Sequence, residues 1–396
     1  MGPDCLVWQR ACTRSTGNAG MGWTIGTCSM STCNCLGAAK MASVSEKNGN
    51  SVSGGKPERG GLTGSGTGLE PKPIRVSVID DDPMICQAMS LILNDYSHGR
   101  IEVVSTSTDG ETCVRRAAEE KPDVVHICTP HYLHVPMTIY ALERNINVFM
   151  EKPPAISFDQ LEELKKAAAK SEAQLGFCYQ NRYNASIRAA KDLIDSGKAG
   201  KVLGARAFVT WCRGAAYYTE SGWRGSLKTE GGGVLINQSV HTQDLLCFLL
   251  GDPTTVDATM TNHHLKDVIE VEDTLEAYID FNGVHASFYA TTSYCADVAP
   301  LIEIAYENMT IRVEDPHVTV YPKDAAPYQL SVETLVPIGK SYWGTGHTAC
   351  ISDFYQSLRD NRRFRLNLET MEPSIRLMLG TYESARSGHS VTLIEQ

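Results

Sequence analysis

Two stretches of this chain carry residues suited to moving a proton beside a bound molecule. In Glu230-Gly231-Gly232-Gly233-Val-Leu-Ile-Asn237-Gln238-Ser-Val-His241-Thr-Gln-Asp244, residues Asn237, His241 and Asp244 stand at i, i+4 and i+7. On a helix they share one face, with Gln238 beside His241 at i+3. Histidine is the side chain best able to exchange a proton near neutral pH, and Asp244 one turn on is placed to orient its ring. The competing reading is a buried histidine bonded to a neighbouring carbonyl. The second stretch is Glu151-Lys152-Pro153-Pro154, in which a lysine next to a glutamate is stiffened by two prolines. Its competing reading is a solvated loop charge.

The elements that must position Lys152 lie between Pro122 and Pro154. Residues 123–127 and 147–150 are short apolar runs, and 135–143 carries apolar residues at helical spacing, so the stretch reads as a βαβ unit. Both strands end in polar loops, Cys128-Thr129-Pro130-His131 and Glu151-Lys152-Pro153-Pro154. In an open parallel sheet ligands bind beyond such ends, which holds Lys152 where a nicotinamide-sized ligand and its substrate would meet.

Upstream, strands at 74–79 and 101–106 alternate with helices at 83–93 and 108–120. The series is βαβαβαβ, a doubly wound parallel α/β domain. A helix at 158–170 and a strand at 174–178 complete it near Tyr179. After a helix ending near Ser196, strand-like runs dominate: 202–209, 255–261, 274–281, 285–292, 301–306, 309–313 and 318–321. Their alternation and turns such as Asn282-Gly283 predict a largely antiparallel open sheet with one exposed face. Helices are expected at 231–250, 346–360 and 370–387. The expected domains are a Rossmann-like unit at 73–180 and an α+β unit for substrate and oligomerisation at 181–396. Residues 1–72 lack sustained periodicity and turn rich in Gly, Ser and Thr, the composition of a disordered or mis-assigned extension.

A length of 396 residues with 42% hydrophobic side chains supports one large core or two ordinary ones. A net charge of -10 without a Lys/Arg cluster argues against nucleic acid as a partner. There is no run of eighteen apolar residues, so no membrane span is expected, and the start lacks a signal-peptide core, which points to the cytoplasm. Five of the thirteen cysteines fall in the first 35 residues. Cys28, Cys33 and Cys35 match no common zinc-ligand spacing, so neither a metal nor a disulfide framework is expected.

Cys128-Thr129-Pro130-His131 with His134, the Glu-Lys-Pro-Pro loop, Gln180-Asn181-Arg182, Ser221-Gly222-Trp223-Arg224 and Glu230 through Asp244 together resemble the Gfo/Idh/MocA family. The resemblance runs from about Asp123 to the C-terminus. It implies an NAD(P)-dependent oxidoreductase acting on sugars, cyclitols or related polyols, with a Rossmann domain followed by a domain whose open sheet forms dimers or tetramers. By position it makes Lys152 the residue that hydrogen-bonds the reacting hydroxyl and His241 the proton donor or acceptor. Asn237 stands where many members carry Asp, and an amide positions a hydroxyl without raising the basicity of His241. Thr129, Pro130, His134, Glu151, Lys152 and Gln180 would line the NAD or NADP. Arg182, Tyr218, Trp223, Arg224 and Asp244 are the implied substrate contacts.

One departure stands out. The family's first strand runs into G-x-G-x-x-G, and here those positions hold Asp80, Asp82 and Ile85. Carboxylates beside a pyrophosphate cost roughly 1 kcal/mol or more per contact, so weakened cofactor binding is expected. Residues 73–125 are similar instead to the front half of a response-regulator receiver domain, through Asp80-Asp81-Asp82-Pro83, IEVVSTSTDGE and KPDVV. The phosphoacceptor position of that family holds Cys128, which argues against phosphorelay, and the acidic turn is an incomplete pocket for Mg²⁺. Residues 105–109, at the end of the second strand, do not decide between NAD and NADP. The chain therefore reads as a dehydrogenase or as a non-catalytic sugar-binding or regulatory relative.

Overall fold

A computed structural model of the chain describes residues 72–97, 99–332 and 346–394. The expected extension, with its five cysteines, lies outside the described residues apart from Lys72. The described residues from 73 onwards belong to one compact unit.

The first sheet has five parallel strands: β1 (Ile74–Ile79), β2 (Ile101–Ser107), β3 (Val124–Ile127), β4 (Asn147–Met150) and β5 (Leu175–Phe177). All four residues of β3 are buried, which is why its sequence is a continuous run rather than an alternation. The crossover helices are α1 (Pro83–Tyr96), α2 (Gly110–Glu120), α3 (His131–Leu142) and α4 (Phe158–Ala168). Local chemistry starts three of them: Asp82, Asp109 and Ser157 each accept a backbone N–H with their side chains at the N-cap. Helix α3 begins at His131, four residues before its apolar periodicity, and contains Pro136. The loop after β3 is therefore shorter than expected, and His131 and His134 are helical.

The strand order is β2-β1-β3-β4-β5. This is one of the two common doubly wound orders; the six-stranded dinucleotide-binding order adds a strand beyond β2. In both, the order reverses next to the first strand, so the crevice opens between β1 and β3 at their carboxyl ends.

A 3-10 turn (Gln180–Tyr183) and α5 (Ala185–Asp195) lead to a nine-stranded sheet of order β13-β12-β11-β10-β6-β9-β8-β7-β14. Its strands are β6 (Val202–Thr210), β7 (Thr255–Thr261), β8 (Thr274–Phe281), β9 (Val284–Thr291), β10 (Leu301–Tyr306), β11 (Met309–Glu314), β12 (His317–Pro322), β13 (Tyr328–Gln329) and β14 (Val391–Thr392). Every pairing is antiparallel except β6 with β9, which meet after a long excursion through the cleft segments. That excursion holds α6 (Ala215–Thr219), a π-helical turn (Val234–Ser239) and α7 (Val240–Leu250). Helices α7 and α9 (Leu368–Ser387) cover one face. On the other, Tyr278 and Tyr321 are exposed.

Helix α8 (Gly346–Arg359) returns to the first sheet. Phe354 is fully buried, 5.1 Å from the Phe149 ring on β4 and 5.3 Å from Phe364, and Tyr355 stacks on His126 of β3 at 5.7 Å. Phe177 donates its backbone N–H to Leu366 at 2.9 Å, so the stretch after α8 binds beside β5. Buried residues of both sheets join in one apolar cluster. Among the described residues no helix is long and apolar enough to cross a membrane.

Phe354→Ala removes the side chain that α8 inserts above β4. The expected cost is about 3–5 kcal/mol, read as a lowered urea midpoint; a loss below about 1 kcal/mol would show that α8 contributes little to the first sheet.

Candidate active site

The site lies where the loops after β3, β4 and β5 face the π turn and α7. The expected helix over 231–250 is corrected: 231–233 are not helical, 234–239 form the π turn, and the α-helix starts at Val240. A turn of this kind widens the helix and recurs at functional sites. Here its start is held by a buried carboxylate. Glu272 accepts Gly233 N–H at 2.8 Å, Leu235 N–H at 3.0 Å and the Tyr382 hydroxyl at 2.8 Å. The glycines permit this approach, since a Cβ at Gly233 would sit 1.9 Å from the Glu272 carbonyl oxygen and one at Gly232 would sit 2.1 Å from the Tyr382 oxygen.

Lys152, two residues past the end of β4, is 5% exposed. Its Nζ donates to the Asn237 carbonyl at 2.9 Å and to Asn237 Oδ1 at 3.1 Å. Burial pulls its pKa down to about 8, with Glu151 opposing the shift and Arg224 adding to it. Asn237 turns its amide nitrogen the other way and donates to Glu230 Oε1 at 2.5 Å. Glu230 also accepts Gly225 N–H through Oε2 at 2.5 Å. Lysine, amide and carboxylate thus form a line. Burial pushes Glu230 up to about 7, against the pull of its bonds from Gly225 and Asn237.

His241, at the start of α7, faces Gln180 with 3.3 Å between Nε2 and the amide nitrogen, and its Nδ1 has no hydrogen-bond partner among the described residues. Burial first, then the charge of Lys152, holds its pKa well below the usual range. The expectation that Asp244 orients this ring is corrected. Asp244 is 2% exposed and takes Arg182 in a two-pronged ion pair, Nε to Oδ2 at 2.9 Å and Nη2 to Oδ1 at 2.6 Å, with Ser374 of α9 donating to Oδ1 at 2.6 Å. The pair ties the 3-10 turn to α7 and α9. Bidentate pairing to Arg182 outcompetes a histidine contact because the guanidinium carries a full charge and matches carboxylate geometry.

The loop residues divide similarly. Tyr218 is buried with Leu265, Ile269 and Val271 in a small apolar cluster. Its neighbour Tyr217 brings its hydroxyl within 3.2 Å of the Gln238 amide nitrogen and 3.4 Å of that of Asn237. Arg224 lies over both Tyr217 and Trp223, at 4.7 and 4.8 Å from their ring centres. Trp223 packs on His131 at 4.8 Å, and His131 Nδ1 meets the Glu230 carbonyl at 2.8 Å. His134 bridges the loops after β3 and β4, with Nε2 at 2.7 Å from the Thr129 carbonyl and Nδ1 at 2.8 Å from that of Pro153. Thr129 is buried against Met137, and Pro130 caps α3.

At the crevice mouth the acidic turn is folded on itself. Asp82 Oδ1 accepts Met84 N–H at 2.9 Å at the start of α1, and Asp80, 5% exposed, accepts Asp82 N–H at 2.8 Å.

Glu230, Tyr217, Cys178 and His347 were not singled out as site residues from sequence. Glu230 adjoins the three glycines, the one signal that could have marked it; the others come together only through tertiary packing. Glu151, Cys178 and His347 bring three potential metal-ligand atoms within 4.8 Å of one another.

Comparison with known proteins places this geometry. Residues 100–179 match a family model described as an oxidoreductase family with an NAD-binding Rossmann fold, and residues 187–312 match one described as a GFO/IDH/MocA C-terminal domain, together more than half of the chain. The chain is 31% identical over 170 residues to 1,5-anhydro-D-fructose reductase of Ensifer adhaerens, covering 42% of this chain and 50% of that protein. It is 30% identical over 135 residues to D-glucoside 3-dehydrogenase of Escherichia coli, 34% of this chain and 37% of that protein. With D-xylose 1-dehydrogenase [NADP(+)] of Haloarcula marismortui it shares 26% over 260 residues, 63% and 70% of the two chains. The first two matches thus span half or less of those relatives. The WlbA dehydrogenase from Bordetella pertussis, solved with NADH and UDP-GlcNAcA, superposes with a TM-score of 0.70 at 23% identity over 82% of this chain and 99% of that one. Aldose-aldose oxidoreductase from Caulobacter crescentus, solved with glycerol, gives 0.67 at 17% over 81% and 99%. At these identities the structural likeness is one of fold.

The raised pKa of Glu230 has a definite sign. Between pH 4.5 and 7 the folded chain holds a proton that the unfolded chain releases, so the contribution of this group is fullest at the acid end and declines as pH rises to 7. Glu230→Gln is expected to flatten that part of the stability curve in thermal melts across this range. A curve parallel to that of the parent would show an unshifted carboxyl.

Proposed function

Because this chain belongs to the Gfo/Idh/MocA family of oxidoreductases and carries its NAD-binding Rossmann domain, we propose that it moves hydride between a nicotinamide cofactor and a CH–OH carbon of a sugar, cyclitol or similar polyol. The observation that supports this most is Lys152, a buried ammonium at the carboxyl end of a central strand, bonded to Asn237 across the cleft from the domain it belongs to. D-xylose, D-glucoside and anhydrofructose enzymes among its relatives support the substrate class.

The nicotinamide end of the crevice suits the cofactor: Thr129, Pro130, His134, Glu151, Lys152 and Gln180 surround it, and the orphaned, buried Nδ1 of His241 is a polar atom in want of a partner. When bound, the nicotinamide supplies the hydride acceptor or donor. Lys152 turns an N–H from Asn237 to the reacting hydroxyl and fixes its orientation. His241, kept neutral by burial and by the lysine charge, takes the hydroxyl proton as the C–H bond breaks and returns it in the reverse direction. Asn237 holds the lysine, and Glu230 holds the amide. Tyr217, Trp223 and Arg224 flank the polyol. Arg182 and Asp244 act on it only through the position of α7.

The pyrophosphate end suits the cofactor less well. Asp82 already occupies the N-terminus of α1, where a phosphate would otherwise accept N–H bonds. This carboxylate also favours a second reading, a relative that binds sugar without turnover. A sugar-induced rise in melting temperature with no NADH consumption is its expected sign. The receiver-like character of 73–125 is read as confined to fold, because Cys128 stands at the phosphoacceptor position; the strand order is common to receivers and this domain. The exposed tyrosine face of the second sheet is proposed as the contact of a homodimer or homotetramer, and the cytoplasm as the setting.

Calorimetric titration with NADH and NADPH tests the proposal, and no heat at millimolar cofactor would remove it. In a chain that turns over, Lys152→Ala is expected to lower kcat about 10²–10⁴-fold. Asp82→Gly should tighten the cofactor about fivefold, the equivalent of about 1 kcal/mol for one relieved contact.

A further inference from the structure

We propose that Glu151, Cys178 and His347 form a binding site for a soft divalent cation of the zinc class, and that filling it competes with the cofactor beside Lys152. The three potential ligand atoms lie within 4.8 Å of one another. They come from three places that the fold forces together. Pairing of Met150 with Phe177 sets the strand ends of β4 and β5 side by side, so the residues one step beyond them, Glu151 and Cys178, are neighbours. His347 arrives from the far end of the chain, because Gly346 lets α8 descend on the 3-10 turn. A Cβ at Gly346 would lie 2.0 Å from the Gln180 carbonyl oxygen, and Gly346 N–H is held by Asn184 Oδ1 at 3.0 Å.

The donor set selects the metal. One thiolate, one imidazole and one carboxylate with an open fourth position is a zinc-type arrangement, whereas magnesium and calcium take oxygen ligands. Zinc–ligand bonds of about 2.0–2.3 Å imply ligand atoms about 3.5 Å apart, so closing the site needs side-chain shifts of about an ångström. Cys178 and His347 are buried and Glu151 is half-buried. Binding exchanges the thiol proton of Cys178 for the cation, releases that proton to solvent and involves no change of oxidation state. The two anionic donors balance the dication. Lys152 then faces it, so the cation and the protonated lysine oppose each other. Competition with the cofactor rests on the function proposed above; the binding of the cation does not.

The test is a titration of the full chain, free of metal, with Co²⁺ and then Zn²⁺. A thiolate-to-cobalt charge-transfer band that saturates at one equivalent and is displaced by Zn²⁺ is expected. It should vanish in Cys178→Ser, persist in the triple variant Cys28→Ser, Cys33→Ser, Cys35→Ser, and weaken at least about tenfold in affinity in His347→Ala. Glu151→Gln, which keeps the thiol, covers the case in which Cys178→Ser fails to fold and should also weaken binding while keeping the band. Absence of the band in the parent, or its loss only in the triple variant, overturns the site. If the site fills, Zn²⁺ should abolish the heat of NADH binding and a chelator should restore it. Should the chain bind no NADH at all, the cobalt band still decides the site.

Discussion

An ammonium group kept from water must be surrounded by acceptors, and the structure around Lys152 is arranged to supply them. The lysine reaches out of a parallel strand end, where the backbone cannot follow it, and finds the carbonyl and side-chain oxygens of one asparagine in the facing domain. That asparagine sits in a π turn, the turn starts on glycines that admit a buried glutamate, and the glutamate is held by the hydroxyl of Tyr382 on α9. Each of these would be an unexplained irregularity in isolation. Together they form one chain of hydrogen bonds from the last long helix to the lysine.

The same burial sorts the charges of the cleft. His131, His134, His241 and His347 all lie near the ammonium and are all held towards their neutral forms, chiefly by burial and secondarily by Lys152 itself. Positive charge is thereby concentrated on Lys152 and Arg224, facing Glu151 and Glu230. The imidazoles are left as neutral donors and acceptors at a pH where they would titrate on a surface. One group thus holds a fixed charge while its neighbours stay neutral.

Much of the fold was legible. β1, β4, β7, β8 and β10 occupy the residues expected for them, because buried apolar runs and alternation are local signals. The fold class and the family with its NAD-binding domain were also readable, through motif residues clustered at strand ends. The misreadings share a cause. A 3.6-residue period describes 231–250 well enough to hide a π turn, and adjacency on a helix suggested His241 for Asp244 when the winning partner, Arg182, stands 62 residues away. Tyr217 and Tyr218 are indistinguishable by type; only their places on a five-residue helix put one hydroxyl beside Gln238 and the other ring in an apolar cluster. His347 is separated from Glu151 and Cys178 by most of the second domain, and no periodicity links them.

Helix α8 gives the fold a temporal property. Its Phe354 and Tyr355 roof β3 and β4, and the stretch behind it binds beside β5, yet it follows those strands by about half the length of the chain. During synthesis the first sheet leaves the ribosome with an apolar patch around Phe149 and Phe177 uncovered until the second sheet has been translated. The first sheet therefore gains its full apolar cover only when the last helices arrive.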